Sequence, residues 1–248
     1  MAFSLVGNWD SVTPPAIPAN WNNDAGMVTS AAQFFSSPNS LVLSSGTAGT
    51  KYYATSGIAD PGAGATFDLT GMVYVTSSAT VGLYKVGPTM RCSAATMDNS
   101  TTSAYWVNLA YNNAFTGAHL QFDKIVNGTV TTLASVTNSD SSLIQGSWYA
   151  IRVVTYGLNI FNVTLTRMSD GYTMDSSGAF QPTSVNVISS LTASDITSGG
   201  YYGFAAQANN TSSRVFMDDL LVNASGAIVL PPRRPVVVPI PFQYYHPD

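Results

Sequence analysis

The stretch from Trp148 to Met174 constrains the fold more than any other part of this 248-residue chain. Large apolar side chains recur at every second position from 149 to 153 and again from 161 to 165, which is the period of strands that bury one face. Gly157-Leu158 separates the two runs and Asp170-Gly171 follows the second, and both pairs suit tight hairpin turns. The stretch therefore predicts two antiparallel hairpins in succession.

The rest of the chain repeats this pattern in about a dozen shorter runs. Asn127-Gly128, between the runs 119–126 and 129–136, is the strongest short-range hairpin signal in the chain. Residues 87–103 are predicted to form a long loop with one short strand near 90–94. Because no window has the apolar period of a helix, the chain is predicted to be all-β, an antiparallel sandwich or barrel.

Composition divides the chain into three parts. Residues 1–30 contain two tryptophans and a proline cluster but little periodicity, and we expect an irregular segment with one short strand. Residues 31–225 contain the strand pattern and form the predicted sandwich domain. Residues 226–248 contain six prolines, which lack an N–H and fix φ, so an extended proline-rich tail is expected there.

This tail is apolar as well as rich in proline, and an extended apolar segment is stabilised by a surface to lie on. It packs either along its own domain or on a neighbouring subunit, unless it is a purification sequence; these alternatives are open. The residues expected to dock on a partner are Arg233, Arg234, Val236, Val238, Ile240, Phe242, Tyr244 and Tyr245.

The low charge of the chain excludes some partners. Charged residues make up 9% of it, the formal net charge is −4, and only Arg233-Arg234 are adjacent basic residues, so a nucleic-acid groove is not expected. No run of about 18 apolar residues exists, so no membrane partner is expected. The first residues lack the basic and apolar regions of a secretory signal, so we expect the protein on a virion surface or outside the cell after lysis.

Five segments, in their order, resemble the concanavalin A-like lectin/glucanase superfamily, the laminin-G-like jelly rolls. The likeness covers roughly residues 30–223, in pattern more than identity. It implies two antiparallel sheets in a jelly-roll sandwich, one of them concave, and since that fold carries hydrolases, lectins and structural modules it implies no single function. The segments are FDLTGMVYV (67–75), YWVNL (105–109), the hairpins 119–133 and 148–165, and GYYGFAAQ with RVFMDDLLV within 200–222.

Glycosidases of this superfamily use two carboxylates from one strand, and hydrolysis needs them about 5–5.5 Å or 6.5–9.5 Å apart. All thirteen acidic residues are Asp, and no Asp-x-Asp occurs. Asp218 and Asp219 are adjacent, so on a strand they point to opposite faces. No nucleophile motif surrounds His119, His246 or Cys92. We therefore expect that the protein is not an enzyme.

The resemblance also implies two kinds of ligand. Jelly rolls of this group hold Ca²⁺ through an Asp of the last strand, here Asp218 or Asp219, and the alternative is that one carboxylate is exposed and the other caps a turn. No other cofactor is expected. Lectin-like faces bind sugars through aromatic rings and Asn or Asp side chains, although strands also bury aromatics in cores. The candidate sugar-binding residues are Tyr105, Trp106, Asn108, Tyr111 and Asn112.

The sequence leaves two functions open. The first is a structural or assembly module of a particle surface, a phage or viral virion protein such as a capsid decoration, fibre or tail component. Its partners would be other protein subunits, either a second copy or a capsid protein, and the few charges and the apolar tail favour it. The second is a carbohydrate-binding lectin-like module whose partners are glycans.

Overall fold

A computed structural model gives the fold. It describes residues 4–7, 9–10, 12–18, 21–23, 26–36, 38–43, 50–59, 66–76, 83–94, 100–112, 118–140, 145–156, 159–196, 200–208 and 215–223. The strands in these ranges are β1 Ser4–Gly7, β2 Trp21–Asn23, β3 Met27–Ser30, β4 Ser40–Leu43, β5 Lys51–Ala59, β6 Asp68–Val75, β7 Leu83–Cys92, β8 Ala104–Asn112, β9 Ala118–Val126, β10 Thr129–Thr137, β11 Trp148–Tyr156, β12 Ile160–Arg167, β13 Thr173–Met174, β14 Phe180–Gln181, β15 Ile188–Thr192, β16 Tyr201–Ala208 and β17 Val215–Asn223. The described ranges contain no helix that could cross a membrane.

The strands form two antiparallel sheets that pack as a sandwich. One has ten strands in the order β14-β13-β12-β11-β6-β17-β4-β3, with β1 paired to β17 and β15 paired to β12. The other has seven strands in the order β10-β9-β8-β7-β16-β5-β2. The predicted fold class, an all-β two-sheet antiparallel jelly-roll sandwich, is confirmed.

The hairpins predicted from alternation are present with the expected side chains inside. In β11 and β12 the register places Ile151 opposite Leu165 and Val153 opposite Val163, and all four are fully buried. The turn between β9 and β10 is Asn127-Gly128, whose φ angles of 47° and 75° are both positive. Such a pair matches the twist of the flanking strands, which explains why the sequence signal was reliable here.

Aromatic side chains fill the space between the sheets. The ring of Phe161 from the ten-stranded sheet lies 5.3 Å from that of Tyr105 and 5.1 Å from that of Phe122 in the seven-stranded sheet. Between β6 and β16, a Cβ on Gly71 would lie 2.7 Å from the Phe204 ring. Glycine at 71 therefore makes room for that ring in the core.

Arg91, at the end of β7, joins the two sheets. It is buried with a φ of 53°, and its guanidinium lies 5.4 Å from the Phe161 ring. It donates hydrogen bonds to the Asn159 side chain and, at 2.9 Å, to the Ile196 carbonyl. These bonds connect β7 with the segments that begin β12 and precede β16.

The prediction of a loop at 87–103 is wrong for residues 87–89, which continue β7, whereas residues 90–92 are strand, in agreement with the short strand expected near 90–94. Pro88 has no N–H to donate, and the pairing with β8 passes from Val86↔Leu109 to Thr89↔Trp106 across it. The strand continues because β16 pairs along its other side. Where one short strand was expected within residues 1–30, the structure has three, β1 to β3. The tail 226–248 lies outside the described residues, and the predicted domain division stays a prediction.

Candidate functional site on the outer face of the seven-stranded sheet

The outer face of the seven-stranded sheet is the side turned away from the ten-stranded sheet. On β9, Leu120 and Phe122 belong to the core between the sheets. Successive strand residues point to opposite faces, so Gln121 and Asp123 project outward. Two polar side chains in the middle of a central strand indicate that this outer face has a role besides packing.

Asp123 is fully buried although it lies on this outer face. Its Oδ2 accepts hydrogen bonds from Lys85 Nζ at 3.0 Å and from Asn108 Nδ2 at 2.9 Å, and its Oδ1 accepts one from Thr132 Oγ1 at 2.6 Å. Strands β7, β8 and β10 each contribute one donor, which offsets the cost of burying the carboxylate. We call these four residues the Asp123 cluster.

Trp106 forms the apolar floor beside this cluster. The register places it directly opposite Asp123, and it packs in a small buried group that includes Tyr53 and Ala205. Lys85 Nζ lies 5.7 Å from the centre of the Trp106 ring, a cation–π distance. Trp106 is fully buried. Its ring therefore packs inside the protein and has no exposed surface on which a sugar could stack.

Three polar atoms on this face are buried and make no hydrogen bond in the described part of the chain: Trp106 Nε1, Asn108 Oδ1 and Gln121 Oε1. Asn108 and Gln121 are cross-strand neighbours on β8 and β9. Buried polar groups without a partner are uncommon, and each one calls for a functional or structural reason. Here one donor and two acceptors occupy adjacent positions of the same face.

A row of residues that includes two lysines and a histidine crosses the face beside the Asp123 cluster, and we call it the basic row. In strand order from β5 to β9 it reads Lys51, Gln207, Lys85, Ala110 and His119. Burial, and then the charge of Lys85, lower the pKa of Lys51, and the same two causes lower the pKa of His119. Burial is the larger cause of both shifts, and the charge of Lys85 adds to it.

The five predicted sugar-binding residues do not form one site. Tyr105 and Tyr111 face the core between the sheets, and the Tyr105 hydroxyl accepts a hydrogen bond from the Ile196 backbone N–H at 3.1 Å. Trp106 and Asn108 lie on the outer face. The side chain of Asn112 lies outside the described residues. Alternation along a strand makes this division unavoidable, since odd and even positions cannot share a face.

Sequence reasoning missed the charged residues of the site, Lys51, Lys85 and Asp123. A signal for Asp123 was present, because alternation in HLQFDKIV separates it from Leu120 and Phe122. The lysines gave none, since a lysine on a strand is usually a solvated residue. Only the order of the strands brings the three together.

Asp218, one of the predicted calcium ligands, lies at a bulge of β17, where the register with β6 shifts before Leu221. Its Oδ2 accepts the backbone N–H groups of Phe35 at 2.8 Å and Ser36 at 2.9 Å, and its Oδ1 accepts that of Asp219 at 2.9 Å. Burial, and then the charge of Asp219, raise the pKa of Asp218 to about 7 against these hydrogen bonds.

This arrangement does not fit a calcium site, because N–H groups occupy the directions from which a cation would approach Asp218. Across the described ranges, no three or more His, Cys, Asp or Glu side chains are grouped to hold a metal. Asp218 instead holds the segment at 35–36, in agreement with the alternative that one carboxylate caps a turn. The predicted Ca²⁺ therefore has no site among the described residues.

Solved structures share the fold. The carbohydrate recognition domain of Emp46p, in a metal-free form, matches with a TM-score of 0.57 at 8% identity, over 92% of this chain and 100% of that one. The chain shares a lectin-like β-sandwich fold with that domain. The exoplasmic/lumenal domain of VIP36, in a Ca²⁺/Man3GlcNAc-bound form, matches with a TM-score of 0.50 at 12% identity, over 89% of this chain and 90% of that one.

No protein-family model and no curated protein matches the sequence. The solved structures confirm the resemblance seen in the sequence for the fold. At identities of 8% and 12% the fold alone is shared, and the function has to be argued from the side chains of this chain.

Proposed function

We propose that this chain is a non-catalytic carbohydrate-binding module and that its glycan lies on the outer face of the seven-stranded sheet, against the Asp123 cluster. The observation that carries the proposal is the set of three buried polar atoms without hydrogen bonds, at Trp106, Asn108 and Gln121. A sugar hydroxyl donates and accepts at once, so a few hydroxyls complement one donor and two acceptors at neighbouring positions. The carbohydrate recognition domain that shares the fold adds support.

The side chains of Lys85 and Gln121, on the solvent side of the site, control the access of a ligand. The Lys85 side chain is 13% exposed and Gln121 is half-buried, whereas Trp106 and Asn108 beneath them are fully buried. Rotation of the two upper side chains admits a hydroxyl to the atoms below. Such a rearrangement of side chains, with the backbone fixed, is common in binding sites.

The absence of catalysis is part of the proposal. Glycoside hydrolysis needs an acid and a second carboxylate about 5–9.5 Å away, whereas the sequence contains no Glu. Both oxygens of Asp123 are engaged by the other members of its cluster. A carboxylate held by three donors is suited to positioning a ligand and poorly suited to donating a proton.

Binding to a panel of neutral and acidic oligosaccharides, followed by calorimetry with the best ligand, tests the proposal. Gln121→Ala removes an acceptor of the face and is expected to weaken binding about threefold to tenfold. The matched control is Gln181→Ala, on β14 of the other sheet, which is expected to leave the affinity unchanged. If no oligosaccharide binds at millimolar concentration, or if the two variants behave alike, the proposal is wrong.

The assembly function stays a prediction. It rests on residues 226–248, which lie outside the described ranges, and on an analogy with jelly-roll components of virions. Subunit or capsid partners, the virion surface and docking through Arg233, Phe242 or their neighbours are compatible with glycan binding. A particle-surface module that also binds glycans would combine the two functions.

A further inference from the structure

The distribution of lysine over the molecule is uneven. The chain contains three lysines in all, and two of them, Lys51 and Lys85, project from the outer face in the basic row. Gln207 lies between them in register. The third, Lys124, is paired with Asp195, and alternation along β9 turns it away from this face.

The described charged side chains of the outer face sum to +1 (two lysines minus one aspartate), although the chain as a whole is negative. Of the described side chains that project outward from this sheet, Lys51 and Lys85 carry positive charge and Asp123 carries negative charge. The chain has a formal net charge of −4, so the face is opposite in sign to the whole. A face of this kind attracts anions and repels cations.

Holding two ammonium groups together on a partly buried face is unfavourable for the free protein. The pKa of Lys51 is lowered first by burial and then by the charge of Lys85. Asp123 offsets the charge of Lys85 through the contact at 3.0 Å. An anion placed between the lysines would relieve the repulsion and would also receive charge-assisted hydrogen bonds.

We infer that the glycan bound by this face is acidic, and that its carboxylate or sulfate lies over Gln207 between Lys51 and Lys85. The inference rests on the proposed function and names the class of sugar. The Cα atoms of the two lysines are separated by two strand spacings, about 10 Å, so the anion can contact the Lys51 ammonium and be attracted by the charge of Lys85, whose ammonium stays 3.0 Å from Asp123. The neutral hydroxyls of the same sugar then meet Gln121 and Asn108 on the adjacent strands.

Galacturonic acid oligomers and their methyl esters provide the test, since they differ in the charge of the carboxyl group and, in size, by one methyl group for each sugar unit. Calorimetry with the full chain at low salt is expected to give at least tenfold tighter binding for the acid. Its affinity is expected to fall as sodium chloride is raised, because ion pairs at a partly exposed site are screened. The affinity of the ester is expected to change little.

The variant Lys51→Gln tests whether Lys51 binds the acidic group of the sugar. It is expected to weaken binding of the acid about threefold to tenfold and to leave the ester unaffected. Lys51→Arg, which keeps the charge, is expected to restore the preference for the acid. Lys124→Gln makes the same change of charge on the other side of the sheet and is expected to stay within about twofold of the unaltered protein. Thermal unfolding of each variant verifies that it is folded.

The outcomes separate the two proposals. Equal affinity for acid and ester, or binding only of neutral sugars from the panel, overturns the acidic ligand and leaves glycan binding intact. Equal effects of Lys51→Gln and Lys124→Gln overturn the placement in the basic row. Binding of inorganic sulfate as tight as that of the acid oligomer shows a site for free anions and overturns the inference. Failure of every sugar overturns the proposed function itself.

Discussion

Both sheets bury carboxylates on their outer faces, and two of these, Asp123 and Asp218, are satisfied in different ways. Asp123, in the seven-stranded sheet, accepts its hydrogen bonds from the side chains of Lys85, Asn108 and Thr132. Asp218, in the ten-stranded sheet, accepts its three from backbone N–H groups. Side-chain donors can rotate toward a new partner, whereas a backbone donor moves only if its loop moves. The first arrangement suits a binding site and the second suits an anchor.

The charged neighbours of the two carboxylates also differ. The ammonium of Lys85 lies 3.0 Å from Asp123. Asp218 has the carboxylate of Asp219 as the charge that raises its pKa. Burial raises the pKa of Asp218 more than the charge of Asp219 does, and the two together bring it to about 7, so this carboxylate titrates near neutral pH. Three experiments sharpen or break this contrast.

The largest effect is expected from removing the cation beside Asp123. Lys85→Met leaves a buried carboxylate without its charged partner, so we expect the free energy of unfolding in urea to fall by about 3 kcal/mol. The matched control, Lys124→Met, breaks an ion pair whose Asp195 side chain is 55% exposed, and it should cost less than about 1 kcal/mol. Equal losses in the two variants would mean that Asp123 does not depend on Lys85.

The next effect is a dependence of stability on pH that belongs to Asp218. Folding raises its pKa from 3.8 to about 7, so the folded protein keeps a proton that the unfolded chain releases. This contribution to stability is complete below about pH 4 and is lost as the pH rises to about 7. The unfolding free energy of the unaltered protein, minus that of Asp218→Asn, should therefore fall by a few kcal/mol between pH 4 and pH 7.

Urea unfolding at a series of pH values measures this difference. Asp219→Asn removes the second cause of the shift, so the fall should be smaller when Asp218 is tested in that background. A difference that stays constant from pH 4 to pH 7 would contradict the contrast between the two carboxylates.

The smallest effect is expected at the exposed edge of the Asp123 cluster. Thr132→Val keeps the shape of the side chain and removes the hydroxyl that donates to Asp123 Oδ1 at 2.6 Å, so unfolding should require about 1 kcal/mol less. Thr131 is its exposed neighbour on β10 and points to the opposite side, so Thr131→Val should change stability by less than about 0.5 kcal/mol. If Thr132→Val leaves the free energy of unfolding unchanged, water replaces the hydroxyl as the donor to Asp123.

Local patterns predicted the strands well where neighbouring residues decide the structure. The alternation in β9 and β11 and the Asn127-Gly128 turn are satisfied within one hairpin, so the sequence signal and the structure agree. The prediction from the sequence ended β7 before residue 87, because Gly87-Pro88 is typical of a turn. In the structure β16 pairs along one side of this strand, which keeps it extended through a position that cannot donate.

The site was harder to predict than the fold. Alternation by itself separates Trp106 and Asn108 from Tyr105 and Tyr111, so a stricter use of the pattern would have removed two of the five candidates. It could not have shown that Asn108 meets Asp123, since that contact depends on which strand lies next to which. The same holds for Asp218, whose partner Phe35 is 183 positions away in the chain.

The sequence by itself determined that this protein is built from strands and which side of each strand is apolar. These properties depend on residue type and on a period of two, which are local. The tertiary structure alone decided that Lys51, Lys85 and Asp123 share one face and that Asp218 holds a loop. A side chain reaches only a few ångströms, so such contacts exist only once the order and register of the strands have brought distant parts of the chain together.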